Sequence, residues 1–161
     1  MKMSCLPVSL FGDICSGKME LVDWAREAKD MGYDGIDISI MFLKNRTPTY
    51  LAALKRQLNE IRMPIIMMTT YPDFTHPDSV QREREMLYLK ADVALASELG
   101  IRYLRILAGQ AHADVSREDC IKWVSDAFHE IDEYGKKFGV GLLFENHGKP
   151  GAWDKVDFTF D

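Results

Sequence analysis

Cysteine is scarce and unpatterned. Cys5, Cys15 and Cys120 are odd in number, widely spaced and without a C-x-x-C step, which excludes a disulfide framework and a thiolate zinc or redox motif and leaves three reduced thiols. No stretch approaches the roughly 18 apolar residues of a membrane span. Residues 1–12 are broken by Ser4, Pro7 and Ser9, so they do not form a secretory signal. The expected location is therefore cytoplasmic. A basic stripe is also missing: Lys136 and Lys137 stand as a lone pair and the formal charge is −5, which argues against a nucleic-acid partner and offers nothing to a membrane surface. Residues 12–18 carry neither G-x-G-x-x-G nor G-x-x-x-x-G-K-[ST], which excludes the usual phosphate-cradling loops after a first strand.

What is present is one local plan used repeatedly: an amphipathic helix, a short turn, then a short branched apolar run. That plan is the βα unit. The first apolar run, residues 6–11, predicts strand one. A helix follows over about 18–31, with Leu21, Trp24, Ala25, Ala28 and Met31 at helical spacing and Gly32 as its terminator. Strand two covers 35–39. The next helix opens at Thr47 with Pro48 in its first turn, carries Leu51, Leu54, Leu58 and Ile61 on one face, and is expected to stop at Pro64. Strand three covers 65–68, a loop with two prolines covers 71–77, and Asp78 or Ser79 caps a long helix that ends at Gly100. Strand four is 103–107. Ser116, with Asp119 three residues on, then starts a helix whose stripe of Ile121, Val124, Ala127, Phe128, Ile131, Tyr134 and Phe138 ends at Gly139, before strand five at 140–144.

Five strands and four helices of this kind fit a single α/β domain over 1–161. Two architectures remain open, a doubly wound open sheet or part of a barrel. In both, chemistry gathers at the C-terminal ends of the strands. Polar residues collect there: Asp37 and Ser39, Thr69 and Thr70, Gln110 and His112, and Glu145 with His147. Glu145 and His147 end an apolar strand two residues apart, so period-two geometry puts both on one face. A half-buried acid beside an arginine is also a common structural pair, and Arg105 on the neighbouring strand is the expected partner of Glu145. His112 reaches the same end from the loop after strand four, but nothing in the sequence supplies it with a partner. His76, in a Thr-His-Pro turn, and His129, inside a helix, read as structural. Trp153 could floor a sugar pocket or cover exposed core.

Three segments carry a resemblance: Gly32-Tyr33-Asp34-Gly35-Ile36-Asp37-Ile38, then Leu99-Gly100-Ile101-Arg102-Tyr103-Leu104-Arg105-Ile106, then Leu143-Phe144-Glu145-Asn146-His147. In order and spacing the chain resembles the xylose-isomerase-like barrel superfamily, which includes sugar and sugar-phosphate isomerases and epimerases, inosose dehydratases and endonuclease IV. The resemblance implies a partial (β/α) TIM-type barrel. A complete barrel of this kind has eight strands and about 250 residues. It holds a divalent metal (Mn, Mg, Co or Zn) through a Glu on strand five, an Asp on strand six, a His on strand seven and a Glu on strand eight. Only the first ligand has a counterpart here, Glu145.

The implied chemistry is proton transfer at a carbon next to a carbonyl, through an enediolate-like intermediate, on a sugar or sugar phosphate. Glu145 is then metal ligand and proton carrier, and His147 a residue that contacts substrate or orients the site. Asp37, Arg105, His112 and Trp153 are candidate substrate contacts. Thr69 and Thr70 stand where endonuclease-like members offer a metal-binding histidine, and Asp37 stands where a glutamate is common in the family. Because the ligands of strands six to eight are absent, a second expectation stands beside the first: a non-catalytic half-barrel that self-associates through its open edges into a homo-oligomer. The alternation of Val156, Phe158 and Phe160 with polar residues suggests a further short strand or the start of a helix. A third reading, a complete open sheet of the flavodoxin kind, predicts a strand order other than 1-2-3-4-5.

Overall fold

The computed structural model describes residues 1–110, 112 and 115–146. His147, Trp153 and the alternating stretch 156–160 lie outside the described residues. The elements run β1 (Ser4–Cys5), α1 (Phe11–Cys15), α2 (Leu21–Asp30), β2 (Gly35–Ser39), α3 (Pro48–Ile61), β3 (Ile65–Thr69), α4 (Ser79–Leu99), β4 (Tyr103–Ile106), α5 (Arg117–Phe138) and β5 (Gly141–Phe144). All five strands are parallel, in the order β1-β2-β3-β4-β5. Sequential order is what an arc of a barrel requires, and it removes the flavodoxin alternative.

Helix starts follow side-chain capping. Thr47, with Pro48 behind it, accepts from Tyr50 N at 3.4 Å, Asp78 accepts from Val80 N at 2.9 Å, and Ser116 accepts from Asp119 N at 3.1 Å. Helices α4 and α5 end on the left-handed glycines Gly100 (φ 79°) and Gly139 (φ 68°). Most element ends shift by one to three residues from expectation, and two of the differences have a clear cause. Helix α3 ends not at Pro64 but through Arg62, the one non-glycine residue with positive φ (57°) among those described. The first strand is not 6–11 but Ser4–Cys5, because Pro7 has no N–H to continue the ladder. Residues 8–10 form a 3-10 turn and 11–15 the short helix α1, so the described residues hold five α-helices where four were expected.

Period-two alternation divides the sheet into two faces. Ile36, Ile38, Met68, Leu104 and Ile106 are buried in one core with Trp24, Ala25 and Ala28 of α2, Leu51, Leu54 and Leu58 of α3, Leu89, Val93 and Ala96 of α4, and Val124 and Ile131 of α5. At about 25 cal/mol per Å² of apolar area this face supplies most of the driving force for folding. The opposite face is the one that would line a barrel. Its register rows run Asp37, Met67, Tyr103, Gly141 and, one layer nearer the C-terminal ends, Ser39, Thr69, Arg105, Leu143. Tyr103 and Leu143 are 44% and 42% exposed there.

Candidate functional site at the strand C-termini

The upper register row is polar on three of its four strands, and it carries the site. Arg105, on β4, is 6% exposed. Glu145 follows β5 directly, and its backbone N–H still donates to Ile106 O at 3.2 Å, so its side chain stands on the same face as Leu143 and one layer above it. Arg105 Nε lies 2.9 Å from Glu145 Oε2, off the hydrogen-bond axis, so charge holds the pair. The expected partnership of these two residues is thus present. Arg105 also donates to Thr70 O at 3.4 Å, and its guanidinium lies 5.0 Å from the ring centroid of Tyr71. Tyr71 Oη in turn meets Thr69 Oγ1 at 3.1 Å and Ser39 Oγ at 3.3 Å. Hydroxyls, a guanidinium and a carboxylate therefore converge from four successive parts of the sheet.

Asp37 lies one layer lower, beneath Ser39, and is 9% exposed. Burial pushes its carboxyl above the usual range, opposed by hydrogen bonds from the Ser4 hydroxyl (3.0 Å) and the Met67 N–H.

A second cluster rises from the loops after β3 and β4. These loops continue the strand pairing: Thr70 N donates to Arg105 O at 2.9 Å and Phe74 N to Ala108 O at 3.0 Å. Asp73 Oδ1 accepts from Thr75 Oγ1 at 2.8 Å and from Gln110 N at 3.1 Å. Its other oxygen meets His112 Nε2 at 3.0 Å. His112, expected without a partner, therefore has one. The His76 ring packs edge-on against it, with centroids 5.1 Å apart. Gly109 makes this possible: at φ +143°, a Cβ there would sit 2.3 Å from Thr75 Oγ1 and 2.4 Å from Asp73 Oδ1. On α4, Glu85 accepts the Asp73 N–H, and burial holds its carboxyl above the normal range. Sequence reasoning missed Tyr71 and Asp73. The available signal was their spacing, two and four residues beyond Thr69 on a segment that keeps the strand's alternation.

Beside these loops lies a cavity of about 360 Å³ lined by Tyr71, Arg46, Glu85, Tyr88 and Asp92. Asp92, on α4, is 7% exposed and meets Arg46 Nη1 at 2.8 Å. Burial nevertheless raises its carboxyl to about 6, against the lowering effect of Arg46.

Divalent ions take four or more donors. Among the described residues no group of three His, Cys, Asp or Glu side chains is placed to hold one. Glu145 is the acid at the strand end, and one of its oxygens already faces Arg105. The described residues do not by themselves fit a metal.

No curated protein matches the chain. Solved structures match its fold. A D-psicose 3-epimerase from Clostridium cellulolyticum H10, solved with D-tagatose, has a TM-score of 0.74 at 10% identity, covering 88% of this chain and 51% of that one. A probable 3-DHS dehydratase, AsbF, from Bacillus anthracis has a TM-score of 0.70 at 21% identity, covering 91% and 53%. The IOLI protein with a bound zinc atom has a TM-score of 0.67 at 17% identity, covering 89% and 51%. The chain spans about half the length of these proteins. The family model described as xylose isomerase-like TIM barrel matches residues 25–160. A sequential parallel sheet with its polar groups at the strand ends, matched by that model over most of its length, makes this chain a member of the xylose isomerase-like TIM barrel family.

Proposed function

We propose that the chain carries the Glu145 side of a sugar or sugar-phosphate isomerase or epimerase site. The supporting observation is the Arg105–Glu145 pair at the ends of neighbouring strands, with Arg105 in the same register row as the hydroxyls of Ser39 and Thr69. Glu145 takes the proton from a substrate carbon adjacent to a carbonyl; the C–H electron pair moves toward the carbonyl oxygen to give an enediolate, and reprotonation completes the exchange. Arg105 holds the carboxylate in place and sets a positive charge beside the oxygen where negative charge develops. The Tyr71 hydroxyl, held from below by the buried hydroxyls of Ser39 and Thr69, faces the substrate's own hydroxyls. A divalent ion would polarise the substrate oxygens in a complete site, and it needs donors beyond the described residues in addition to Glu145. His147 and Trp153 complete the proposed substrate contacts.

The test is hydrogen exchange: D-tagatose is incubated with the protein in D2O, with Mn²⁺, Mg²⁺, Co²⁺ or Zn²⁺ in turn, and deuterium in the sugar is followed by NMR. Exchange by the wild type, reduced at least about 100-fold in Glu145→Gln, is the expected outcome. No exchange by the wild type under any of these conditions overturns the reading.

A second reading rests on a different observation. The barrel-lining face exposes Tyr103 and Leu143. In this reading the chain is a non-catalytic half-barrel whose copies cover one another's open faces. Sedimentation equilibrium at tens of micromolar distinguishes it: a clean monomer overturns it.

A further inference from the structure

Building on the sugar-site reading above, we infer that His112 is a specificity-determining residue whose Nδ1 accepts a hydrogen bond from a hydroxyl of the bound sugar, and that Asp73 is its positioning residue. A carboxylate only accepts, so the 3.0 Å contact of Asp73 Oδ2 with His112 Nε2 puts a ring proton on Nε2, and the neutral imidazole then carries its lone pair on Nδ1.

The carboxylate is itself fixed. The Thr75 hydroxyl and the Gln110 N–H hold its other oxygen, Glu85 accepts its backbone N–H, and Gly109 leaves the space it fills. So many constraints on one ring orientation at a rim are more than packing requires. His112 keeps 23% of its side chain exposed, and Asp73 16%. The cluster also belongs to the site's rim. Asp73 lies two residues beyond Tyr71, whose ring stacks on Arg105, whereas Phe74, the next residue, turns into the helix layer against Phe128. The two loops are joined backbone to backbone directly above β3 and β4.

Two measurements test this. The first needs no sugar: long-range ¹H–¹⁵N spectra of the imidazoles. In the wild type the His112 proton is on Nε2. In Asp73→Asn the side-chain amide donates to Nε2 and drives the proton to Nδ1; a ring that keeps its tautomer in Asp73→Asn overturns the positioning role. The second is titration with D-tagatose followed by backbone NMR. His112→Phe and Asp73→Asn are expected to weaken binding about tenfold each, and His112→Gln, which keeps an acceptor, distinctly less. D-tagatose that binds wild type and both variants equally overturns the assignment to His112 while the sugar reading stands. D-tagatose that shifts no resonance of the wild type overturns both.

Discussion

Arg105 and Glu145 form an asymmetric pair: the guanidinium is sealed, with 7% of its side chain exposed, while the carboxylate 2.9 Å away keeps 45%. Removing the anion leaves a buried cation with less compensation, whereas a fully exposed pair loses almost nothing. Glu145→Gln is therefore expected to lower unfolding free energy by about 1–2 kcal/mol. Glu60→Gln, which breaks the exposed Arg56–Glu60 contact at 3.9 Å, should change it by less than about 0.5 kcal/mol. Urea denaturation of the two variants side by side checks the contrast; equal effects would sink it.

Much of this pair was legible in the sequence, because parallel neighbours in sequential order bring the end of one strand beside the end of the next. The helix starts at Thr47, Asp78 and Ser116 and the glycine stops at 100 and 139 were legible for a similar reason, since each is decided within four residues. What escaped was decided at longer range. The first strand is short because only Ser4 and Cys5 find partners on β2 before Pro7 ends the ladder, and the directions of Tyr71 and Asp73 depend on contacts with residues more than 30 positions away. A buried acid in a helix, Asp92, has no local signature at all.

Asp92 makes stability depend on pH in a definite direction. Its carboxyl titrates at about 6 in the folded chain and near 3.9 when unfolded, so between these values the folded state binds more protons. Stability therefore falls as pH rises from about 4 through 6. Asp92→Asn removes that slope, and its stability relative to wild type should rise by about 2–3 kcal/mol from pH 4 to pH 7. Asp37 and Glu85, also raised by burial, leave a residual slope of the same sign. Urea midpoints at pH 4.5, 5.5 and 7 measure this, and parallel curves for the two proteins would refute it.

Two glycines separate conformational strain from collision. Gly139, at φ +68°, has open space where a Cβ would go, so Gly139→Ala carries only the left-handed penalty, about 1 kcal/mol. Gly109 combines positive φ with contacts of 2.3 and 2.4 Å, and Gly109→Ala should cost about 2–4 kcal/mol. Thermal unfolding ranks the two; a milder effect at 109 than at 139 contradicts the packing described.

The hydroxyl row predicts a smaller effect. Tyr71→Phe removes the group shared by Ser39 and Thr69 but keeps the ring beneath Arg105, and about 1 kcal/mol of stability should go with it. Retention of the Arg105–Glu145 contact in that variant, read from arginine Nε resonances, would show that the ring rather than the hydroxyl supports the guanidinium.

The lashing of the β3 and β4 loops also bears on how this chain tolerates insertions and deletions. From Thr69 to Asp73 each side chain's direction is set by counting along a paired backbone, with Thr70 N tied to Arg105 O and Phe74 N to Ala108 O. One residue added or lost between those ties would exchange inward and outward positions, carrying Tyr71 away from Arg105 and sending Phe74 out of the core. Loop length in this segment is therefore as tightly constrained as residue identity, whereas a change beyond Pro77, outside the tied stretch, leaves the parity intact.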